Sequence, residues 1–320
     1  MELANGTTVQ EFILLGFGVG QQGRLLLLIL FTAVYTLTLA ENFVIIMIVV
    51  LDPHLSHLPM YILLSNFSWL EMCYVTATVP RMLFDLASHH GIISFNACFI
   101  QFYVFFSLGT TECLFLSAMA LDRYLAICHP LRYPQIMSQD FCYALVGSCW
   151  ILGFLWYVAP VFLIFSLSFC GPNTIDHFVC DSGQLLALAC PPLGSIPLFC
   201  YIVTSSVVLA TFLFILISYA FVGVTLVKAS SPSSSIKGFS TVSSHLAVVT
   251  IFYGSVAAMY IGHGGESNSE NMKVMTLFYS AVTPLLNPLI YCLRNDQVKE
   301  AVAKLLRRKR ITGGKREGNS

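Results

Sequence analysis

The chain has 320 residues, of which 57% are hydrophobic and only 10% are charged, and its formal net charge is zero. A soluble domain carries about 25% charged residues, so this composition and a mean hydropathy of +0.78 exclude an ordinary soluble domain and favour a membrane protein. Lys and Arg are concentrated near the C-terminus while most of the middle is uncharged, which argues against a nucleic-acid partner.

Seven apolar runs follow one another, each long enough for the roughly 20 helical residues that a bilayer requires. They cover 24–50, 58–84, 96–128, 141–165, 196–227, 238–262 and 272–293. The connections are short except between about 166 and 195, and no second soluble domain is visible. We therefore predict an all-α membrane protein, with residues 1–320 forming one seven-transmembrane helix bundle domain and 24–293 forming the bundle itself.

An odd number of spans places the two termini on opposite sides of the membrane. With the N-terminus outside, three of the 16 Lys and Arg residues (Arg24, Arg81 and Lys273) lie outside and the other thirteen lie inside, in agreement with the positive-inside rule. Residues 1–23 are then extracellular, and Asn5 begins an Asn-Gly-Thr glycosylation sequon there. No cleaved signal peptide is expected, because a basic segment followed by a short apolar core is missing.

Four of the eleven cysteines would face the oxidising side in this orientation: Cys98, Cys170, Cys180 and Cys190. Four cysteines permit three disulfide pairings, and the residues alone do not choose among them. The other seven lie in or beside helices and are expected to be small packing residues. His177, Cys180 and Asp181 have the spacing of metal ligands, but a disulfide-bonded Cys180 could not bind as a thiolate, so no firm metal site is predicted.

The most specific motif is Met119–Cys128, in which Asp122, Arg123 and Tyr124 end a long apolar run. An arginine at a membrane boundary is unremarkable alone, because its stem can reach the headgroups. The adjacent acid makes a functional ion pair the better interpretation. MALDRYLAIC closely resembles the signature at the inner end of the third helix of odorant receptors, a branch of the rhodopsin-like (class A) G-protein-coupled receptors.

Further motifs match the same family in order and spacing between about 58 and 295. They are Pro59-Met60-Tyr61, Ser218-Tyr219, Lys237 to His245, Phe252-Tyr253-Gly254 and Pro284 to Tyr291. The departures are Glu41 where the family commonly has glycine, Leu121 where it commonly has tyrosine, and Gly238 where it commonly has alanine. None of them changes a charged or proline position of the motifs.

The resemblance implies an odorant receptor of the plasma membrane that activates a stimulatory heterotrimeric G protein and raises cyclic AMP in olfaction. Trafficking chaperones are candidate accessory partners. It implies that Asp122, Arg123 and Tyr124 form the coupling switch, and that Tyr219 and Tyr291 turn towards Arg123 on activation. It also selects two disulfides, Cys98–Cys180 and Cys170–Cys190.

Glu71 and Glu112 are acids within predicted membrane spans. An ionised, unpaired acid near mid-bilayer costs on the order of 3 kcal/mol or more, so neither is expected to face lipid. The resemblance places them close together between the second and third helices. Two interpretations stay open: the pair shares a proton or holds a sodium ion, or both acids are protonated and hydrogen-bonded. No other cofactor is expected.

The outer halves of the third, fifth and sixth runs contain no fixed charge, which predicts a small, neutral, mostly apolar ligand. Amine receptors carry an aspartate in the third helix. Counting back from Arg123 places Phe105 at the matching position of this chain, so a cationic amine would have no counter-ion there. Burial of about 200 Å² of ligand is worth about 5 kcal/mol, so binding at micromolar concentration or weaker is expected. Helical spacing, which alone is more typical of packing, suggests these lining residues: Phe105, Phe106, Gly109, Thr110, Cys113, Val203, Val207, Val256, Ala257, Tyr260, Leu277 and Ser280.

The segment 294–320 has a one-sided apolar pattern beginning after Asn295. Val298, Val302 and Leu305 fall on one helical face, and basic residues occupy the remainder. We predict a short amphipathic C-terminal helix along the inner leaflet, followed by a cytoplasmic tail; a plain stop-transfer tail is the alternative.

Three other classes of protein fit less well. A transporter or channel would show repeated halves and a charged path, and neither is visible. A retinal-binding light sensor needs a lysine in the middle of the seventh helix, whereas Lys273 lies at its start. An enzyme is not expected, because a nucleophile, a base and an orienting acid do not occur as a set.

Overall fold

A computed structural model describes residues 9–88, 90–228, 232–262, 269–294 and 298–300, with the backbone alone at 232–241, 259–262, 269 and 291–294. Its helices, in chain order, are α1 (Gln21–Leu51), α2 (Pro59–Ser88), α3 (Phe95–Cys128), α4 (Tyr133–Ile136), α5 (Gln139–Trp156), α6 (Val158–Phe165), α7 (Ser182–Leu188), α8 (Ile196–Lys228), α9 (Pro232–Gly262), α10 (Ser269–Leu277) and α11 (Thr283–Arg294).

Seven long rods form a bundle, as the seven apolar runs predict. They are α1, α2, α3, α5 continued by α6, α8, α9, and α10 continued by α11. Helix α3 lies at the centre, in contact with α2, α5, α8 and α9. The prediction of a seven-helix bundle is therefore confirmed.

Within the described residues, four segments are long and apolar enough by themselves to cross a membrane: Gln21–Leu51, Phe95–Cys128, Gln139–Phe165 and Ile196–Lys228. Their outward faces carry apolar side chains, such as Leu26 and Ile202, that are more than half exposed. Helix α2 is less apolar because it contains Glu71, Arg81 and Asp85, of which Glu71 is fully buried inside the bundle. Polar residues that face inward let such a helix span a bilayer without meeting lipid.

The fourth rod is broken at Tyr157, where the sequence predicts one continuous helix over 141–165. Pro160 in α6 has no backbone N–H, and its ring would clash with the carbonyl of Trp156 four residues earlier. The indole nitrogen of Trp156 instead donates a hydrogen bond to the Val203 carbonyl of α8 at 3.0 Å. This hydrogen bond at the break joins the fourth rod to the fifth.

The seventh rod is also irregular, where the sequence predicts one regular helix over 272–293. A π-helical turn at Phe278–Val282 joins α10 to α11. Pro284 removes a backbone donor just beyond it, and the Thr283 hydroxyl donates to the Phe278 carbonyl at 2.9 Å. The π-helical turn contains one more residue than a regular helical turn. Side chains before the turn are therefore rotated about the helix axis relative to side chains after it.

A three-stranded sheet, which the sequence does not predict, covers one end of the bundle. Strand β1 (Glu11–Leu14) lies between β2 (Ile92–Ser94), to which it is antiparallel, and β3 (Thr174–Ile175), to which it is parallel. Phe12 of β1 is fully buried against aromatic rings of the bundle. We call the end of the bundle that the sheet covers the disulfide end, and we call the opposite end, where Arg123 lies, the arginine end.

The predicted amphipathic helix of the C-terminal segment lies almost wholly outside the described residues. Only Val298–Glu300 are described, as helix, and Val298 packs in an apolar cluster with Ile48, Leu55 and Tyr61. Asn295 and 301–320 lie outside the described part of the chain, as do residues 1–8 with Asn5.

Candidate functional site

Two disulfides tie the loop between α6 and α8 at the disulfide end. Cys98 in the first turn of α3 is joined to Cys180, with 5.6 Å between the Cα atoms, and Cys170 is joined to Cys190, with 5.0 Å between them. These are the two pairs that the resemblance selects. Because Cys180 is bonded to Cys98, its sulfur is not available as a metal ligand.

The same loop is fixed by charged and polar contacts to α10. Lys273 is buried, and its ammonium group donates to Asp176 at 2.7 Å and to Glu270 at 2.8 Å. Buried His177 accepts a hydrogen bond from the Val179 N–H on Nδ1, while Nε2 lies 3.3 Å from the Thr276 hydroxyl. Burial lowers the pKa of His177, which keeps the ring neutral. Lys273 is thus already paired with two carboxylates and is not an isolated cation at the rim.

A deep cavity of about 60 Å³ lies among α2, α3, α5–α6, α8, α9 and the π-helical turn. None of the described residues that line it is charged. The lining residues predicted from sequence that the structure brings together here are Phe105, Phe106, Gly109, Thr110, Cys113, Val207 and Val256.

Four predicted lining residues lie elsewhere. Val203 uses its carbonyl to bind the indole of α5, Ala257 is exposed on α9, and Leu277 packs against the apolar cluster between α1 and α2. Ser280 is buried, and its hydroxyl donates to the Thr276 carbonyl at 2.7 Å. Tyr260 has no described side chain, so its prediction lies outside the described residues.

Six further lining residues are not predicted by the sequence: Tyr74, Tyr157, Thr204, Val208, Phe252 and Tyr279. The π-helical turn explains Tyr279, because regular helical spacing selects Leu277 and Ser280 instead. Tyr157 lines the cavity because it stands at the break before Pro160, with its ring stacked on Phe106 at 4.9 Å between centroids. The proline was a usable signal for this break, whereas the π turn has no comparably simple one.

A mouth cavity of about 440 Å³ lies next to the deep cavity, towards the disulfide end. The two share Phe105, Phe106, Thr204 and Tyr279, and the mouth cavity is otherwise lined by the disulfide-bonded loop, α8 and α10. A volume of 10–15 Å³ accommodates about one water, so the deep cavity holds only a few, whereas small-molecule sites measure about 300–1,000 Å³. A ligand therefore occupies both cavities or enlarges the deep one by moving side chains.

At the arginine end, Asp122 is buried and holds two partners. One carboxylate oxygen accepts from Arg123, at 2.8 Å from Nε, and the other accepts from the Tyr133 hydroxyl at 2.7 Å. Burial raises the pKa of Tyr133, so its phenol keeps the proton that it donates. Tyr124 instead bonds His129 at 3.1 Å.

Tyr219 does not contact Arg123 through a hydrogen bond. Its hydroxyl lies 2.6 Å from Nδ1 of His245, and this contact joins α8 to α9. The side chain of Tyr291 is outside the described residues. Arg123 is therefore held by its neighbouring acid, and α8 and α9 are joined to each other beside it.

Between the cavity and Arg123 lie the two buried acids, Glu71 and Glu112, which are close enough for their charges to interact. One oxygen of Glu71 accepts a hydrogen bond from the Asn287 side-chain amide. Within the described residues, the other Glu71 oxygen, both Glu112 oxygens and the Asn287 side-chain carbonyl have no hydrogen-bond partner. Among those residues, no group of three or more His, Cys, Asp or Glu could hold a metal ion.

Comparison with known proteins identifies the family. The olfactory receptor family model matches residues 31–309. Human olfactory receptor 11G2 is 52% identical over 301 residues, which cover 94% of this chain and 87% of that protein. Human olfactory receptor 11H6 is 49% identical over 298 residues, covering 93% and 90% respectively.

Among solved structures, the crystal structure of squid rhodopsin matches with a TM-score of 0.71 at 15% identity, over 89% of this chain and 81% of that one. This similarity supports the fold alone, whereas the family match and the identities of about half carry the assignment. The chain therefore belongs to the olfactory receptor family and is a multi-pass plasma-membrane receptor of the rhodopsin-like class of G-protein-coupled receptors, not an enzyme.

Proposed function

We propose that this receptor binds small, neutral, mostly apolar volatile molecules in the deep and mouth cavities and activates a stimulatory heterotrimeric G protein, which raises cyclic AMP. The observation that carries the proposal is that none of the described residues lining the deep cavity is charged. A cationic ligand would find no counter-ion there, and a carboxylate would find no cation. In the mouth cavity, the Asp181 carboxylate is engaged by the Gly183 N–H.

Binding is weak in this proposal. The lining of the deep cavity is largely aromatic and aliphatic, so affinity comes mainly from apolar burial, worth about 25 cal/mol per Å² before the cost of association. Enlarging a cavity of about 60 Å³ adds a further cost. Half-maximal responses at micromolar concentration or above are expected.

Signalling follows from a shift between two arrangements of the arginine end. In the arrangement described above, Arg123 is bound to Asp122, and Tyr219 is bound to His245. A ligand that favours an open arrangement frees Arg123 and Tyr219 and lets the G protein bind between α3, α8 and α9.

The disulfide end faces the extracellular side in this proposal, and the arginine end faces the cytoplasm. Disulfides form and persist in oxidising compartments, which supports this orientation. It exposes Asn5 to glycosylation and the basic C-terminal tail to the inner leaflet. Trafficking chaperones are proposed accessory partners for delivery to the cell surface.

The buried acid pair holds either a sodium ion or protons, with one proton shared between the acids or one on each acid. The unpartnered oxygens of Glu71, Glu112 and Asn287 are the hard donors that such a cation prefers, whereas a shared proton would bridge one oxygen of Glu71 and one oxygen of Glu112. Both states remove the repulsion between two buried carboxylates.

The two states of the acid pair are separated by the response of thermal stability to sodium. If sodium binds, replacing choline chloride by sodium chloride at constant ionic strength raises the Tm of the purified receptor, and Glu112→Gln abolishes the rise. A wild-type Tm that is insensitive to this exchange favours protonation, either with one shared proton or with both acids protonated. If Glu112→Gln changes neither the Tm nor the agonist response, the pair has neither role.

The proposed function is tested by screening diverse volatiles on cells that express the receptor, with cyclic AMP as the readout. Neutral molecules are expected to evoke responses, and Arg123→Ala is expected to abolish them at equal surface level. A nanomolar response to an organic cation that survives substitution of Glu71 and Glu112 contradicts the ligand class. Retained signalling in Arg123→Ala removes this residue from the switch.

A further inference from the structure

Most polar groups in the wall of the deep cavity already have partners inside the protein. The Thr110 hydroxyl donates to the Phe106 carbonyl at 2.9 Å, and the Thr204 hydroxyl donates to the Cys200 carbonyl at 3.0 Å. The Tyr157 hydroxyl is bonded to Thr204.

The remaining polar wall residues are Cys113, Tyr279 and Tyr74. The Cys113 thiol is engaged by Tyr253 and Thr211 across α3, α8 and α9. Tyr279 packs its ring against Tyr74 and Phe105 and has a further contact within the protein. Tyr74 makes ring contacts to Phe105 and Tyr279, but its hydroxyl has no hydrogen bond to any described residue.

The position of that hydroxyl is well defined. Tyr74 is only 2% exposed to solvent, and its ring is held by Phe105 at 5.3 Å between centroids. The hydroxyl lies over Gly109, where an added Cβ would be 3.0 Å from the oxygen. The glycine therefore leaves the space that the phenol needs at the wall of the cavity.

Helix spacing places this hydroxyl next to the buried acids. Tyr74 follows Glu71 by three residues on α2, and Gly109 precedes Glu112 by three residues on α3. Because the two helices run in opposite directions, the Tyr74–Gly109 contact lies about one turn nearer the disulfide end than the acid pair. A ligand bound to Tyr74 is therefore directly above Glu71 and Glu112.

We propose that Tyr74 is the polar anchor of the ligand site and donates its phenolic hydrogen to a carbonyl oxygen of an otherwise apolar ligand, such as a ketone, aldehyde or ester. The hydroxyl belongs to a residue of the cavity wall and has no acceptor among the described residues of the protein, so a carbonyl in the cavity provides one while the carbon chain fills the aromatic walls. This inference rests on the proposed function and adds the chemical group that the receptor recognises.

The test is a double-mutant cycle between the ligand oxygen and the tyrosine hydroxyl. Odorant-sized ketones, aldehydes and esters are each paired with the analogue in which a methylene replaces the carbonyl. Cyclic AMP concentration–response curves are measured for the wild type and for Tyr74→Phe at equal surface level. On the wild type, removal of the carbonyl is expected to raise the EC50 roughly 5- to 30-fold.

For Tyr74→Phe, the EC50 of a carbonyl agonist is expected to rise by a similar factor, and removal of the carbonyl then has little further effect. Tyr143→Phe is the matched control, because this exposed tyrosine of α5 lines neither cavity. It is expected to change the EC50 ratio of the paired ligands by less than about threefold. Gly109→Ala, which crowds the phenol, is a second variant and is expected to resemble Tyr74→Phe.

Two results overturn the inference. In the first, the hydrocarbon analogues and the carbonyl agonists have equal EC50 values on the wild type. This result does not depend on whether any variant folds. In the other, Tyr74→Phe and Gly109→Ala both leave the preference for the carbonyl unchanged. If no volatile raises cyclic AMP in cells with surface-expressed wild type, the proposed function itself fails, and this outcome is distinct from both.

Discussion

Asp122 shows how a single buried carboxylate can hold the arginine end in one arrangement. Its two oxygens are used by different partners, Arg123 on the same helix and Tyr133 in the segment that follows α3. Charge-assisted hydrogen bonds are stronger than neutral ones, so losing either partner destabilises this arrangement relative to alternatives that do not contain it. The residue is thus a link between α3 and the α3–α5 connection.

The first prediction concerns Tyr133→Phe, which removes only the hydroxyl. The closed arrangement loses one hydrogen bond to a carboxylate, worth about 1.5–3 kcal/mol, so the equilibrium shifts towards the open arrangement. Ligand-independent cyclic AMP is expected to rise severalfold at equal surface level. Tyr143→Phe is the control, because this tyrosine is exposed on the outer face of α5. Unchanged or lowered basal signalling in Tyr133→Phe would show that the bond does not hold the closed arrangement.

Helical spacing predicts which residues share a cavity wall where the helix carrying them is regular, while their contact with a ligand stays a prediction. Phe105, Phe106, Gly109, Thr110 and Cys113 all line the deep cavity, because α3 keeps one spacing throughout. The choice of disulfide pairs depended on the family resemblance, since four cysteines alone leave three pairings open. The functional roles of Asp122, Arg123 and the acid pair stay predictions.

At the scale of elements, the contact between α3 and α5 depends on one glycine. Gly153 faces Thr111, and an added Cβ would overlap the Thr111 hydroxyl oxygen and lie 3.0 Å from its Cα. That hydroxyl is itself fixed by a hydrogen bond to the Ser107 carbonyl at 2.8 Å. The helices approach so closely here because the glycine has no side chain, a common device in membrane proteins.

Gly153→Ala is therefore expected to destabilise the receptor by about 1–3 kcal/mol through overpacking. The measurement is the Tm of the purified receptor, together with its surface level in cells. Gly147→Ala on the same helix is the matched control, because no atom lies within 4 Å of the added Cβ. An equal loss of Tm in both variants would contradict the close contact between α3 and α5.

Elements were predictable from hydropathy, but their interruptions were not. The seven long helices follow from apolar runs of sufficient length. Strands of two to four residues, such as β3, are too short to show a pattern, and β1 pairs with segments far away in the sequence. The π turn at Phe278–Val282 depends on how Pro284 and its neighbours are satisfied in three dimensions, and it misplaced two predicted lining residues.

For the whole molecule, the important fact is that the same helices form both the cavity and the arginine end. Helix α3 carries Phe105 at the cavity and Arg123 at the proposed switch, α8 carries Val207 and Tyr219, and α9 carries Val256 and also His245. A change in how these three helices pack around a ligand is therefore felt at the arginine end without any additional relay. The acid pair lies between the two ends and can bias the equilibrium.

The most direct measurement uses the full-length receptor in nanodiscs with a purified stimulatory heterotrimeric G protein. Guanine-nucleotide exchange is followed with and without a neutral volatile agonist from the cellular screen. We predict that the agonist accelerates exchange with the wild type and not with Arg123→Ala, compared at a temperature below the Tm of both proteins. Agonist-stimulated exchange that is equal in the two proteins, or an agonist-gated current through bilayers containing the receptor alone, would contradict the account.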